Sequence, residues 1–422
     1  MPNTPDVIVL GAGPAGAATA TLMARRGARV VLLDRATFPR EKPCGGLLSE
    51  RGARAVAGVF GAQTLERITR FRCSNVTTSF RGEPVAEAQN AGEMRFIRRI
   101  ESDAEFVACA REAGCTVREG CEIVAVAPWR AGRLGARPGL EGMAYHPVRP
   151  DPSQSRPAGA YSEVTLRSGE RLRARILVGA GGVYSVIRRR VWGRRSSNHR
   201  GLGFGLIAEV PPDLIRPDRR DAAMRAPHIA FGAVPWGYGW VFPGGDRVVL
   251  GLGGLWRRKT DFRAAAARFV EAVCVPGALD RIAFRGHPIP FGNFEALPGQ
   301  EDVLLVGDAA GLADPVTGEG IAFALESAQL AAAAAGDALS AGRPFEAGNR
   351  YNESYRKALL PHFQGARRAR RLLFPPLIMP LAMRALRRRP ERLKWFFGIA
   401  SGEISYGSYF YRLAGSLLDL GV

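Results

Sequence analysis

The chain has 422 residues, 46% hydrophobic and 23% charged. That length suggests about two or three domains, and the composition excludes collagen-like, disulfide-scaffold and wholly disordered classes. Its charge is the outlier: 59 basic residues against 39 acidic ones give +20, and only Lys42, Lys259, Lys357 and Lys394 are lysines. Such arginine skew reflects either genome composition or a negatively charged partner, a membrane surface or a nucleic acid. Six cysteines without a C-x-x-C read as reduced thiols of a cytosolic protein rather than a zinc module or disulfide framework. Met1 to Asp6 lacks the basic start of a secretory signal, and no run of 18 apolar residues suggests a membrane span.

In chain order, Val7–Leu10 reads as a strand buried on both faces. The turn Gly11-Ala-Gly13-Pro-Ala15-Gly16 follows, then a helix to about Arg26 and a second strand ending at Asp34. Residues 35–60 read as loop and helix around Lys42-Pro-Cys44-Gly45-Gly46. Apolar spacing predicts a helix from Glu101 to Gly114, and Cys121–Val126 is strand-like. Arg130 to about Ser162 reads as a long exposed insertion. Glu163–Val178 alternates like a hairpin ending in a buried strand, and 201–290 is strand-rich with no long helix before about 262. Val303–Val306 is another buried strand, Gly320 to about Leu339 a long helix, and the chain beyond 350 is helical and basic. The nucleotide-binding pieces are scattered, so the expected units are 1–190 with 295–345, an inserted sheet at 200–294, and a C-terminal helical region at 346–422. The fold class is α/β: a three-layer Rossmann-type domain, an antiparallel substrate sheet and C-terminal helices.

G-x-G-x-x-G between strand and helix lets backbone approach a pyrophosphate at the helix N-terminus. Asp34 stands 18 residues past Gly16, where a carboxylate can bond a ribose hydroxyl. That fingerprint does not separate NAD from FAD. A second element, Val306-Gly307-Asp308 running to Asp314-Pro-Val-Thr-Gly318-Glu-Gly320, favours FAD, whose ribityl hydroxyls and flavin ring lie far from the adenine. The helix opening after Gly320 can aim its positive end at the flavin pyrimidine.

These segments, with Gly179-Ala-Gly181-Gly182 and Arg99-Ile-Glu-Ser-Asp103, resemble the p-hydroxybenzoate hydroxylase superfamily of flavoproteins. Within it, Pro43-Cys44-Gly45-Gly46, Tyr238-Gly-Trp240-Val-Phe242-Pro243 and Asp314–Gly320 are similar to motifs of the geranylgeranyl reductase family. The likeness runs over about 6–345; Gly181 stands where hydroxylases carry Asp, and Ser102 replaces a bulky residue. The resemblance implies FAD held by Gly11, Gly13, Ala15, Gly16, Asp34, Arg35, Cys44, Gly45, Gly46, Arg99, Val124, Gly181, Gly307, Asp308, Gly318, Gly320 and Ile321. It implies that Cys44, Tyr238 and Trp240 serve catalysis, and that Tyr238, Trp240, Phe242 and Pro243 line a substrate tunnel. The plain alternatives are a packed thiol at Cys44 and ordinary sheet core at the aromatics.

The expected activity is FAD-dependent saturation of isolated C=C bonds in a geranylgeranyl or polyprenyl chain of a lipid, quinone, diphosphate or chlorophyll-type ester. Hydride would come from reduced flavin N5, a proton from Cys44, and electrons from NADPH, NADH or a reduced ferredoxin. A flavin monooxygenase or halogenase, or an electron-transfer flavoprotein serving a quinone, are the rival readings. His287, before Pro288, reads as a loop residue, and the five histidines show no metal-ligand spacing, so no metal is expected. Leu372–Met383, with three prolines, is too short to span a bilayer, which takes about 20 residues. Arginines flank it (Arg367, Arg368, Arg370, Arg371; Arg384, Arg387, Arg388, Arg389, Arg392 with Lys394), which predicts peripheral docking on the anionic inner face of the membrane. A cytoplasmic monomer without nucleic acid is the expected form.

Overall fold

The computed structural model describes residues 4–128, 161–193, 201–256 and 260–418. The insertion expected at 130–162 lies almost wholly outside the described residues. The first sheet has six strands in the order Gly299–Gln300, Val303–Leu305, Ile176–Gly179, Val7–Leu10, Val30–Leu33, Thr116–Arg118. Val7–Leu10 pairs in parallel with neighbours on both sides, Val7 opposite Ile176 and Val30. All four of its residues are buried, which is why the strand is continuously apolar. The Pro14–Arg25 and Ile321–Ser340 helices pack against each other, and their alanines allow the close approach. A three-stranded antiparallel sheet (Ile123–Ala127, Ser162–Leu166, Arg171–Ala174) joins the same core through Val164, Leu166 and Ala174.

The second large sheet has seven strands in the order Arg285–Ile289, Gly203–Val210, Val248–Leu255, Gly237–Pro243, His228–Phe231, Val76–Phe80, Glu83–Ala88. Its last two strands come from residues 76–88, within the stretch expected to belong to the nucleotide-binding unit. Val76–Phe80 pairs in parallel with His228–Phe231, a long-range partnership that no local pattern reveals. A short helix, Pro217–Arg225, also interrupts the region read as strands. Alternation along Gly237–Pro243 divides the sheet's faces. Val241 packs with Leu250, Leu252 and the Phe262–Val273 helix, whereas Phe242 joins Phe231, Ile229 and the C-terminal helices.

Five helices close the chain: Ala347–Ala358, Leu360–Leu373, Met379–Arg388, Arg392–Ser401 and Tyr406–Leu418. Among the described residues no helix is long and apolar enough to cross a membrane. The apolar segment divides by face: Phe374, Met379 and Met383 are buried, while Leu377 and Leu381 are 89% and 60% exposed. Leu372 and Ile378 share that exposure. Two of the flanking cations turn inward instead: Arg370 is buried and bonds the Phe291 carbonyl, and Arg392 is buried too.

Candidate functional site

One cavity of about 1370 Å³ runs from the Gly11–Ala15 turn, past Cys44, to the aromatic strand and the Arg392–Ser401 helix. That volume exceeds the roughly 300–1,000 Å³ of an ordinary small-molecule pocket and leaves room for two ligands end to end.

At the first end the wall is backbone. Gly11 has φ +106°, and a Cβ there would lie 2.5 Å from the Ala180 oxygen. A Cβ on Gly16 would lie 1.7 Å from the Gly11 oxygen, so Gly16 fits the helix to the turn from behind. Asp34 accepts from the Ala12 and Ala36 amides at 2.6 and 2.8 Å, bracing that turn while still facing the cavity. Arg99 meets the fully buried Asp103 through two bonds of 2.7 and 2.8 Å, and Arg40 reaches the same carboxylate at 3.0 Å. Burial works against the Arg99 charge, but Asp103 and the neighbouring Cys44 hold its pKa above the ordinary value.

Asp308 lines the cavity, and its carboxyl has no hydrogen-bond partner among the described residues. Burial raises its carboxyl, against the pull of Lys42, Arg99 and Arg188. Lys42 meets His287, and Glu41 meets Arg285 beside them. Burial, then Arg99, lowers Lys42 to about 8; burial, then Lys42, lowers His287 to about 4. His287 is therefore a strand residue of Arg285–Ile289 at the cavity wall, not the loop residue expected from Pro288.

At the far end Tyr238, Trp240 and Phe242 project from one strand face, successive rings 6.1 Å apart. Gly251 makes this possible, because a Cβ there would lie 2.2 Å from the Trp240 ring. Gly45 lies against Trp240 and Phe242, so the Pro43–Gly46 turn touches the aromatic strand. Tyr238 Oη donates to the Thr317 carbonyl at 2.5 Å, while Trp240 Nε1 is buried without a partner among the described residues.

Of the residues expected around FAD and substrate, three are absent from the wall. Gly16 and Gly307 lie behind it, and Pro243 follows the alternation to the opposite face from Phe242. The others, including Arg35, Val124, Gly181, Gly318, Gly320 and Ile321, share the one cavity. Sequence reasoning missed Glu319, Phe231, Ile229, Phe396 and Phe397, which also line it. Glu319 lay inside a quoted motif; the phenylalanines carried no signal beyond apolarity.

The structure fits FAD on its own evidence. The Pro14–Arg25 and Ile321–Ser340 helices both begin at glycines with no side-chain cap, leaving N–H groups for a ligand. Asp308 between them offers an unpaired carboxylate.

Residues 6–120 match a family described as FAD dependent oxidoreductase. A menaquinone reductase of Mycobacterium tuberculosis is 30% identical over 78% of this chain and 76% of its own. A geranylgeranyl diphosphate reductase of Rhodobacter capsulatus is 28% identical over 80% and 77%. Among solved structures, a geranylgeranyl bacteriochlorophyll reductase-like protein of Thermoplasma acidophilum has TM-score 0.65 at 19% identity, covering 87% of each chain.

Proposed function

Since the chain belongs to the geranylgeranyl reductase family of FAD-dependent oxidoreductases, we propose that it saturates isolated C=C bonds of a polyprenyl chain. The observation that carries this reading is the continuity of the cavity from a dinucleotide-type turn to an aromatic, apolar end. Menaquinone and geranylgeranyl diphosphate, named for two of the relatives, share a polyprenyl chain, and such a chain suits that end.

FAD, when bound, supplies the two electrons. Gly11, Gly13, Ala15, Asp34, Arg35, Arg99 and Val124 hold its dinucleotide part. Asp308 would accept from the ribityl hydroxyls, and Gly318–Ile321 would offer the Ile321–Ser340 helix N-terminus to the ring. Cys44 passes a proton toward the alkene, since an unpolarised alkene needs one at a carbon while the other is reduced. Tyr238, Trp240 and Phe242 hold the chain flat and exclude water, and Phe396 and Phe397 close the tunnel. The electrons reach the protein from NADPH, NADH or a reduced ferredoxin.

The exposed Leu372, Leu377, Ile378 and Leu381, with Arg368, Arg371, Arg384 and Arg387 around them, dock peripherally on an anionic membrane. That membrane holds the prenyl lipid.

Mass spectrometry of lipids and quinones from cells with and without the protein tests the reading. The expected result is a prenyl carrier richer in hydrogen only when the protein is present; identical prenyl profiles would refute it.

A further inference from the structure

Reduction of an unpolarised alkene needs a proton source that is still protonated near neutral pH and shielded from bulk water. Tyr238 is poorly suited, because its proton is engaged by the Thr317 carbonyl and burial, then Asp314 and Glu319, raises its pKa. Cys44 Sγ accepts the Gly46 N–H at 3.4 Å and must be reloaded after each turnover.

Glu319 differs from both. Its carboxyl lines the same cavity and accepts from Ser49 Oγ at 2.5 Å. The nearest cation does not neutralise it: Arg51 gives two bonds of 2.5 and 2.6 Å to Glu326 and lies over the Phe323 ring. Asp314, in the preceding turn, is itself fully buried and saturated. It accepts from His362 at 2.6 Å, Tyr406 at 2.9 Å, and the Val316 and Thr317 amides at 2.7 and 2.8 Å. Among the described residues the Glu319 carboxyl therefore has one donor, Ser49, and two acidic neighbours, Asp314 and Glu326. Burial is the main cause that pushes its carboxyl up to about 7; Asp314 and Glu326 add to it, Ser49 and Arg51 oppose it.

We propose that, within the reductase reading above, Glu319 is the store of the proton that reaches the alkene. The hydride that one alkene carbon takes would be supplied by bound reduced FAD, which would thereby be oxidised by two electrons. The π bond breaks toward the other carbon, which takes the proton originating on Glu319, directly or through Cys44. The carboxylate left behind regains a proton from water, and the external donor restores the two flavin electrons, as a hydride from NADPH or NADH, or as two single electrons with a proton from water when the donor is reduced ferredoxin.

Glu319→Gln keeps the acceptor for Ser49 and removes the titrating proton. Infrared difference titration of the oxidised holoprotein should show a protonated carboxyl C=O band that fades as pH rises through about 7. The band should be missing in the variant. In anaerobic single turnover, the dithionite-reduced parent should oxidise with a geranylgeranyl lipid in micelles, more slowly above that pH. The variant should keep its FAD, run roughly 10²–10⁴ slower, and lack that pH dependence. Absence of the band in the parent, or a variant with the parent's rate and pH dependence, would overturn the proposal. A parent that has the band but reduces no prenyl lipid supports the proton store and sinks the substrate class instead.

Discussion

The two ends of the cavity are built from different material. At the Gly11–Gly16 end, main chain forms the wall, and its side chains serve mostly to fit one backbone segment against another. At the Tyr238–Phe242 end, rings form the wall, and glycines such as Gly251 and Gly45 make space for them. Backbone recognition tolerates few residue types at a given position, because a Cβ would close the space. Ring recognition tolerates many arrangements of apolar residues on many elements.

Substitutions at the junction and at each end should break this division of labour in different ways. The largest effect is expected at the junction. Cys44→Ala should slow alkene reduction by about 10²–10⁴ in single turnover while flavin stays bound and reducible. An unchanged rate would make Cys44 a packing residue. At the backbone end, Asp308→Ala removes an acceptor for the ribityl chain and should weaken FAD retention by about 1.5–3 kcal/mol. Flavin absorbance after dialysis reads this directly, and alkene reduction with saturating FAD should recover.

The outer surface should respond more weakly. Changing Leu372, Leu377 and Leu381 to Ser should reduce co-sedimentation with anionic liposomes about tenfold at low salt, from roughly 25 cal/mol per Å² of apolar surface. Flavin content should not change. Equal binding by parent and variant would assign those leucines no lipid contact.

A separate effect is on stability against pH. His287 is held neutral in the fold to about pH 4, whereas in the unfolded chain it takes a proton near its ordinary value of 6.5. Between those values the unfolded state binds more protons, so this group lowers stability as pH falls. Glu319, raised to about 7 from an ordinary 4.5, acts in the opposite sense, lowering stability as pH rises across its window. Melting curves should show His287→Gln gaining on the parent as pH drops through 6.5 toward 4.

The same contrast explains what was legible beforehand. The strand, glycine turn, helix and Asp34 were readable because each follows from a local backbone requirement. The alternation that put Tyr238, Trp240 and Phe242 on one face was readable too, and it also shows why Pro243 is not on that face. What stayed hidden depends on distant partners. Val76–Phe80 finds its neighbour at His228–Phe231, and His287 reaches Lys42 from a different sheet strand. Phe396 and Phe397 line the cavity from a helix whose sequence carries no motif. Arg370 looks like another surface cation in the sequence, yet its guanidinium is buried against the Phe291 carbonyl.

Under the proposed function, reduced FAD in this cavity would deliver its electrons to a prenyl C=C bond and not to oxygen. The direct measurement is anaerobic: photoreduce the holoprotein, add one equivalent of a geranylgeranyl lipid, and follow flavin absorbance and product mass together. The account predicts return of the oxidised flavin spectrum with stoichiometric gain of two hydrogens in the lipid. Flavin that stays reduced until oxygen is admitted, with an oxygenated or halogenated product appearing only then, would contradict it.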